Sequence, residues 1–81
     1  MEIIPFTKKQ EQYIKRFGLK KKIDKQIKLL SIQPRNKSLN IEKLNPASAG
    51  LYSFRIDKKY RAIFAVSNGV IKIITLTNHY K

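Results

Sequence analysis

Histidine, carboxylates and arginines are the residues of this chain that could move protons or hold a phosphate. There is one histidine, His79, and there are five carboxylates. With one imidazole, an acid–base pair of two histidines cannot be built, so a second proton-carrying role would fall to a carboxylate. Glu42 is the only carboxylate between Asp24 and Asp57. Four arginines (Arg16, Arg35, Arg55 and Arg61) add guanidinium forks, which fit phosphate better than an ammonium does. No Gly-rich phosphate loop, metal-ligand cluster or Ser/His/Asp spacing is present. Taken singly, each residue has a plain reading. His79 reads as part of a tail, Glu42 as a surface carboxylate, and Arg61 as an ion-pair partner of Asp57.

The bulk composition sets the frame for that chemistry. With 81 residues, one domain is the expected count, and its core is small. A hydrophobic content of 42% is enough to fold, which argues against global disorder. The absence of cysteine excludes disulfides and thiolate metal sites. No apolar run approaches a membrane span and no signal-like apolar segment opens the sequence, so a cytosolic protein with no membrane partner is expected. Eighteen Lys and Arg against five carboxylates give +13 at pH 7. That excess favours a polyanion such as nucleic acid, or an acidic protein. Fourteen of the eighteen cations are lysine, which also suits a merely solvated surface. The arginines are the more selective signal.

The elements that must position these residues lie mostly in the last third. Residues 51–56, 60–66 and 70–77 are rich in β-branched and aromatic types and are split by polar turns, the pattern of three strands. Asn68-Gly69 fits a two-residue type I′ hairpin, which needs positive φ at both central residues. Counting from that turn pairs Ser67 with Val70, Val66 with Ile71, Phe64 with Ile73 and Arg61 with Leu76. Alternation then puts Tyr60, Ala62, Phe64, Val66, Ile71 and Ile73 on a core face. Arg61, Ile63, Ala65, Lys72 and Ile74 fall on the other. A three-residue turn at Asp57-Lys58-Lys59 would set Arg55 opposite Arg61. Because Arg61 lies mid-strand on the non-core face, its loss is expected to cost little stability.

Upstream, Glu2 to Phe6 reads as a short strand. Thr7 and Gln10 fit a capping box that opens a helix from about Lys8 to Phe17, ended by Gly18. A second helix starts near Leu19, carries the stripe Leu19, Ile23, Ile27 and Leu30, and stops at Pro34. The stretch from Arg35 to Ala49 reads as a polar connection, long for a compact domain. The predicted fold is α+β, with a two-helix hairpin on one face of an antiparallel sheet in which the N-terminal strand joins the last three.

Several short runs together resemble the RelE/ParE superfamily of small bacterial and archaeal toxins. They are Leu44-Asn45-Pro46, Gly50-Leu51-Tyr52-Ser53-Phe54-Arg55-Ile56, Tyr60-Arg61-Ala62-Ile63-Phe64 and Asn78-His79-Tyr80. An arginine in the middle hairpin strand, preceded by an aromatic, is the family's best mark, and the His-Tyr pair looks most like the YoeB-type branch. The match covers about half the chain; the N-terminal half agrees in its β-α-α-β-β-β order. Two departures point the same way. Ser53 and Phe54 stand where RelE itself has a lysine pair, and the last-strand arginine of RelE is absent, with His79 near its place. Both favour the branch that uses Glu and His.

The resemblance implies an endoribonuclease that cuts messenger RNA in the ribosomal decoding site, without metal or other cofactor. Glu42, thirteen residues before Arg55, falls where that branch has its catalytic glutamate. Arg61 matches the catalytic arginine, His79 and Tyr80 the terminal pair, and Arg55 a basic position beside the site. Lys43, Lys58, Lys59 and Lys72 extend the expected RNA-binding surface. On this reading Glu42 is the general base, His79 the general acid, and Tyr80 positions the substrate. The expected partners are an acidic antitoxin, the ribosome and messenger RNA, the free protein being a monomer or weak homodimer. Two alternatives stay open: a ParE-like, non-enzymatic gyrase poison, and a basic RNA-binding module without catalysis.

Overall fold

The computed structural model describes residues 2–78. Strand β1 (Glu2–Ile3) leads into helices α1 (Lys8–Arg16) and α2 (Lys20–Ile32). Strands β2 (Glu42–Lys43), β3 (Leu51–Arg55), β4 (Arg61–Ser67) and β5 (Val70–Thr77) follow, with single 3₁₀ turns at Lys37–Leu39 and Ala47–Ala49. The five strands form one mixed sheet in the order β1-β5-β4-β3-β2. β1 runs parallel to β5, and the other neighbours are antiparallel.

The expected helix start is present in full. Gln10 N–H donates to Thr7 Oγ1 at 3.1 Å, and Thr7 N–H donates to Gln10 Oε1 at 3.0 Å. Gln10 Nε2 also donates to the Ile73 carbonyl at 3.0 Å, which occupies part of the β5 edge that two-residue β1 leaves uncovered. Pro5, lacking an N–H, lies just past the end of β1, which is shorter than the predicted strand. Gly18 takes φ +63 between the helices, a conformation that costs a residue without Cβ little.

The helices cover one sheet face. Leu19, Ile23 and Leu30 from the α2 side meet Phe54, Ala62, Phe64, Ile71, Ile73 and Leu76 in one buried cluster. Burying each large side chain contributes about 1.5–3 kcal/mol. Val66, expected in the core, is 39% exposed where the sheet runs past its cover. Gln26 is buried on the same helix and donates to the carbonyls of Ser38 (3.0 Å) and Arg55 (2.8 Å). One side chain thereby ties α2 both to the 3₁₀ turn and to the end of β3.

Two differences from the sequence expectation matter downstream. The 35–49 connection contributes a fifth strand, with Glu42 paired to Ser53 and Lys43 to Tyr52. In the hairpin, Phe64 faces Ile73 as counted, but Ile63 faces Thr75 and Arg61 faces Thr77, not Leu76. Ile74 is the extra residue of a β-bulge. The bulge changes the parity of β5, so Leu76 turns inward opposite Ala62 and is buried, while Thr75 and Thr77 take the open face.

The turn before β4 takes the three-residue form, with Ile56 N–H bonded to the Tyr60 carbonyl at 2.9 Å, and so sets Arg55 opposite Arg61. Asp57 holds it. Its Oδ1 accepts from the N–H groups of Lys59 (2.8 Å) and Tyr60 (2.9 Å), and its Oδ2 meets Lys22 Nζ at 3.0 Å. Partial burial alone would raise the Asp57 pKa, but these donors outweigh it and hold the carboxyl below its ordinary value. A lowered folded pKa adds stability that is complete above the unfolded value of about 3.9 and is lost as pH falls through the folded one. Asp57→Ala should therefore cost about 1–2 kcal/mol at neutral pH, and the variant should lose less than wild type between neutral and acid conditions. Urea melts at both pH values measure this; parallel losses in the two proteins would refute it.

Candidate active site

The face of the sheet opposite the helices gathers most of the chemistry-bearing residues. Paired residues on neighbouring strands point to the same side. Glu42, Ser53, Ile63 and Thr75 therefore form one row across β2, β3, β4 and β5. Arg55, Arg61 and Thr77 form the next. Glu42 is half-buried and Arg55 is exposed.

Arg61 departs most from expectation. Although on the non-core face, it is only 2% exposed. Its Nε donates to Ser53 Oγ at 3.1 Å, and its Nη2 donates to Ser53 Oγ at 2.8 Å and to the Asn40 carbonyl at 2.6 Å. A longer contact of 3.4 Å joins Nη2 to the Ser53 carbonyl. Ser53 is itself 2% exposed. Asn40 adopts φ +44, the left-handed region that asparagine tolerates better than most residues. The preceding 3₁₀ turn is capped by Asn36, whose Oδ1 accepts from Ser38 N–H at 2.9 Å, and is anchored by fully buried Leu39.

The remaining expected site residues divide by place. Lys58 and Lys59 sit exposed in the β3–β4 turn, at the Arg55–Arg61 end of the sheet. Lys72 faces Ala65 on the same side but further along, about 13 Å from the Arg61 row at strand spacing. Lys43 belongs to the opposite face; its Nζ lies 5.9 Å from the centre of the Tyr52 ring. His79 and Tyr80 lie outside the described residues. Among the described residues, no three His, Cys, Asp or Glu side chains come together as a metal site. Among the described residues, Glu42, Arg55 and Arg61 share one sheet face and line none of four concavities of about 310 to 440 Å³.

Ser53 and Asn40 went unrecognised in the sequence as site residues. A signal was there for Ser53: a lone small hydroxyl within Leu-Tyr-Ser-Phe, in phase with Arg55. The carbonyl of Asn40 had no signal beyond the residue's tolerance of positive φ.

Burial corrects the expectation that Arg61 is cheap to remove. Truncation would leave the buried Ser53 hydroxyl and the half-buried Asn40 carbonyl without their donor, at about 1–3 kcal/mol for each group left unsatisfied. Arg61→Ala should therefore lower unfolding stability by about 2–4 kcal/mol. Chemical denaturation decides it, and an unchanged midpoint would refute the structural role.

No family model and no curated protein matches the chain. Solved structures do. The YoeB/ParE toxin from Agrobacterium tumefaciens aligns with a TM-score of 0.74 at 22% identity, over 99% of this chain and 100% of that one. YafQ from E. coli strain BL21(DE3) aligns with a TM-score of 0.75 at 11% identity, over 96% and 90%. At those identities the likeness concerns the fold. A chain of the YoeB-YefM complex from Staphylococcus aureus aligns with a TM-score of 0.66 at 28% identity, over 98% and 94%. End-to-end agreement with these folds stands beside the Leu44-Asn45-Pro46 and Tyr60-Arg61 motifs: the chain has the fold of the RelE/ParE-type toxins and is similar along its whole length to toxins of the YoeB-like type.

Proposed function

We propose that this chain is the toxin of a toxin–antitoxin pair and acts as an endoribonuclease on messenger RNA held by the ribosome. The observation that supports this most is the shared open face, on which a carboxylate (Glu42) and two arginines (Arg55 and Arg61) stand on three neighbouring strands. In sequence, His79 follows two residues after Thr77, the residue opposite Arg61. A net charge of +13 favours a polyanionic substrate.

RNA cleaves itself when a 2′-hydroxyl attacks the adjacent phosphorus. In this reading Glu42 accepts the 2′-hydroxyl proton as O2′ bonds to phosphorus. Negative charge gathers on the non-bridging oxygens of the phosphorane. Exposed Arg55 can bond those oxygens, while buried Arg61, fixed behind them, opposes the charge through its field. The bond to O5′ breaks, and His79 donates the proton that the leaving oxygen requires. The products are a 2′,3′-cyclic phosphate and a 5′-hydroxyl. Tyr80 stacks on a base or bonds the phosphate. The ribosome supplies the in-line RNA geometry that an open sheet face lacks. Exposed Lys58 and Lys59 add backbone attraction, and the ribosomal substrate places the activity in the cytoplasm.

The staphylococcal YoeB structure is a complex with YefM. For the present chain we propose an acidic antitoxin, matched to its cationic surface.

The decisive test is single-turnover cleavage of a defined messenger on ribosomes. Glu42→Gln and His79→Gln should each lower the rate by about a hundredfold or more, with ribosome affinity retained. Two substitutions that both leave the rate within a few-fold of wild type would remove acid–base catalysis by this pair. A gyrase supercoiling assay run alongside would then decide for or against the poison reading.

A further inference from the structure

We propose that Ser53 and the backbone of Asn40 form a clamp that sets the position and plane of the Arg61 guanidinium, which makes Ser53 a positioning residue of the site; the catalytic part of this rests on the nuclease reading above. The geometry is specific. Ser53 Oγ accepts from Nε at 3.1 Å and from Nη2 at 2.8 Å, gripping one edge of the fork at two points. The Asn40 carbonyl takes Nη2 at 2.6 Å from a different segment of the chain. Two donors on one oxygen and a third contact elsewhere restrict both in-plane and out-of-plane rotation of a rigid planar group.

Burial strengthens the clamp. Ser53 and Arg61 are each 2% exposed, so water competes little for these donors. The clamp is also braced. Gln26 Nε2 bonds the Ser38 carbonyl at 3.0 Å, two residues before Asn40, and the Arg55 carbonyl at 2.8 Å, two residues after Ser53. Both jaws are thus tied to the same side chain of α2. Ser53 is also the residue paired with Glu42, so one serine stands between the proposed base and the proposed charge stabiliser. Alanine at this position would remove the hydroxyl that bridges Nε and Nη2, leaving Nη2 held by the Asn40 carbonyl. Threonine would keep the oxygen.

A serine that merely satisfies a buried charge and one that positions it for reaction differ in what they couple to. The experiment measures single-turnover cleavage at saturating ribosome for Ser53→Ala, Ser53→Thr and Arg61→Lys, and for Ser53→Ala combined with Arg61→Lys. Misplacing a reacting group by about 1 Å costs on the order of a hundredfold. Ser53→Ala should therefore slow cleavage about that much, with ribosome affinity unchanged, and Ser53→Thr should recover most of the lost rate. In the Arg61→Lys background Ser53→Ala should add little, because lysine has no Nε–Nη2 edge to grip. A Ser53→Ala rate within twofold of wild type, or an equal loss in both backgrounds, would overturn the positioning role.

A readout independent of activity accompanies it. The Arg61 Nε–H proton should exchange slowly with solvent in nitrogen-15 NMR of the wild-type protein, and fast in folded Ser53→Ala. Fast exchange in wild type would overturn the clamp even if the ribosome assay succeeds. Slow exchange without any wild-type cleavage would leave the clamp standing and overturn the nuclease reading instead.

Discussion

A guanidinium removed from water is the constraint around which this small sheet is arranged. An arginine cannot shed its charge when buried, so its donors must find acceptors. Arg61 finds them on Ser53 and Asn40, from two separate segments of the chain. Each segment then needs a reason to be where it is. β3 is held against β4 by the Asp57 turn, and the 3₁₀ turn is held by Leu39 in the core and by Gln26 from the helix. Among the described residues no buried side-chain nitrogen or oxygen lacks a partner. The polar network around the arginine is therefore satisfied, the condition under which such a network adds specificity without an unpaired-group penalty.

Much of the fold was legible because its strongest signals are local. Asn68-Gly69 places the hairpin, Thr7 and Gln10 start a helix, and Leu19, Ile23 and Leu30 mark the buried stripe of the next. What stayed hidden depends on tertiary pairing. β2 is two residues long and its pattern carries no period to detect. The bulge could be inferred only from the parity change between Ile73 and Leu76. Strict alternation would have put Leu76 on the Arg61 face, and burying that side chain on the core face is the favourable alternative.

The site was legible to a different depth. Glu42, Arg55 and Arg61 were placed by their resemblance to a family pattern, and strand register brings them to one face. Register also separates what sequence proximity had joined. Lys43 follows Glu42 directly, yet alternation sends it to the other side of the sheet, above Tyr52. The burial of Arg61 was not legible, because a strand's non-core face is ordinarily its wet face. Ser53 Oγ and the carbonyl of Asn40, the latter brought in by a left-handed residue outside any strand, take up its donors and reverse that expectation.

The cations consequently fall into two physical kinds. Most are solvated lysines, whose contribution is a long-range field that salt screens and whose individual positions matter little. Such a field can gather RNA near the protein, but a mobile, hydrated ammonium cannot be preorganised toward one phosphate. Arg61 is the opposite case: costly to bury and held at several points, so on the proposed nuclease reading it would already be oriented when RNA arrives. Preorganised charge is what stabilises a transition state, because no reorganisation remains to be done at the moment of reaction. Steering and fixed geometry thus come from different residues, and a chain of 81 residues can supply both because the fixed charge shares its acceptors with the sheet that holds the fold together.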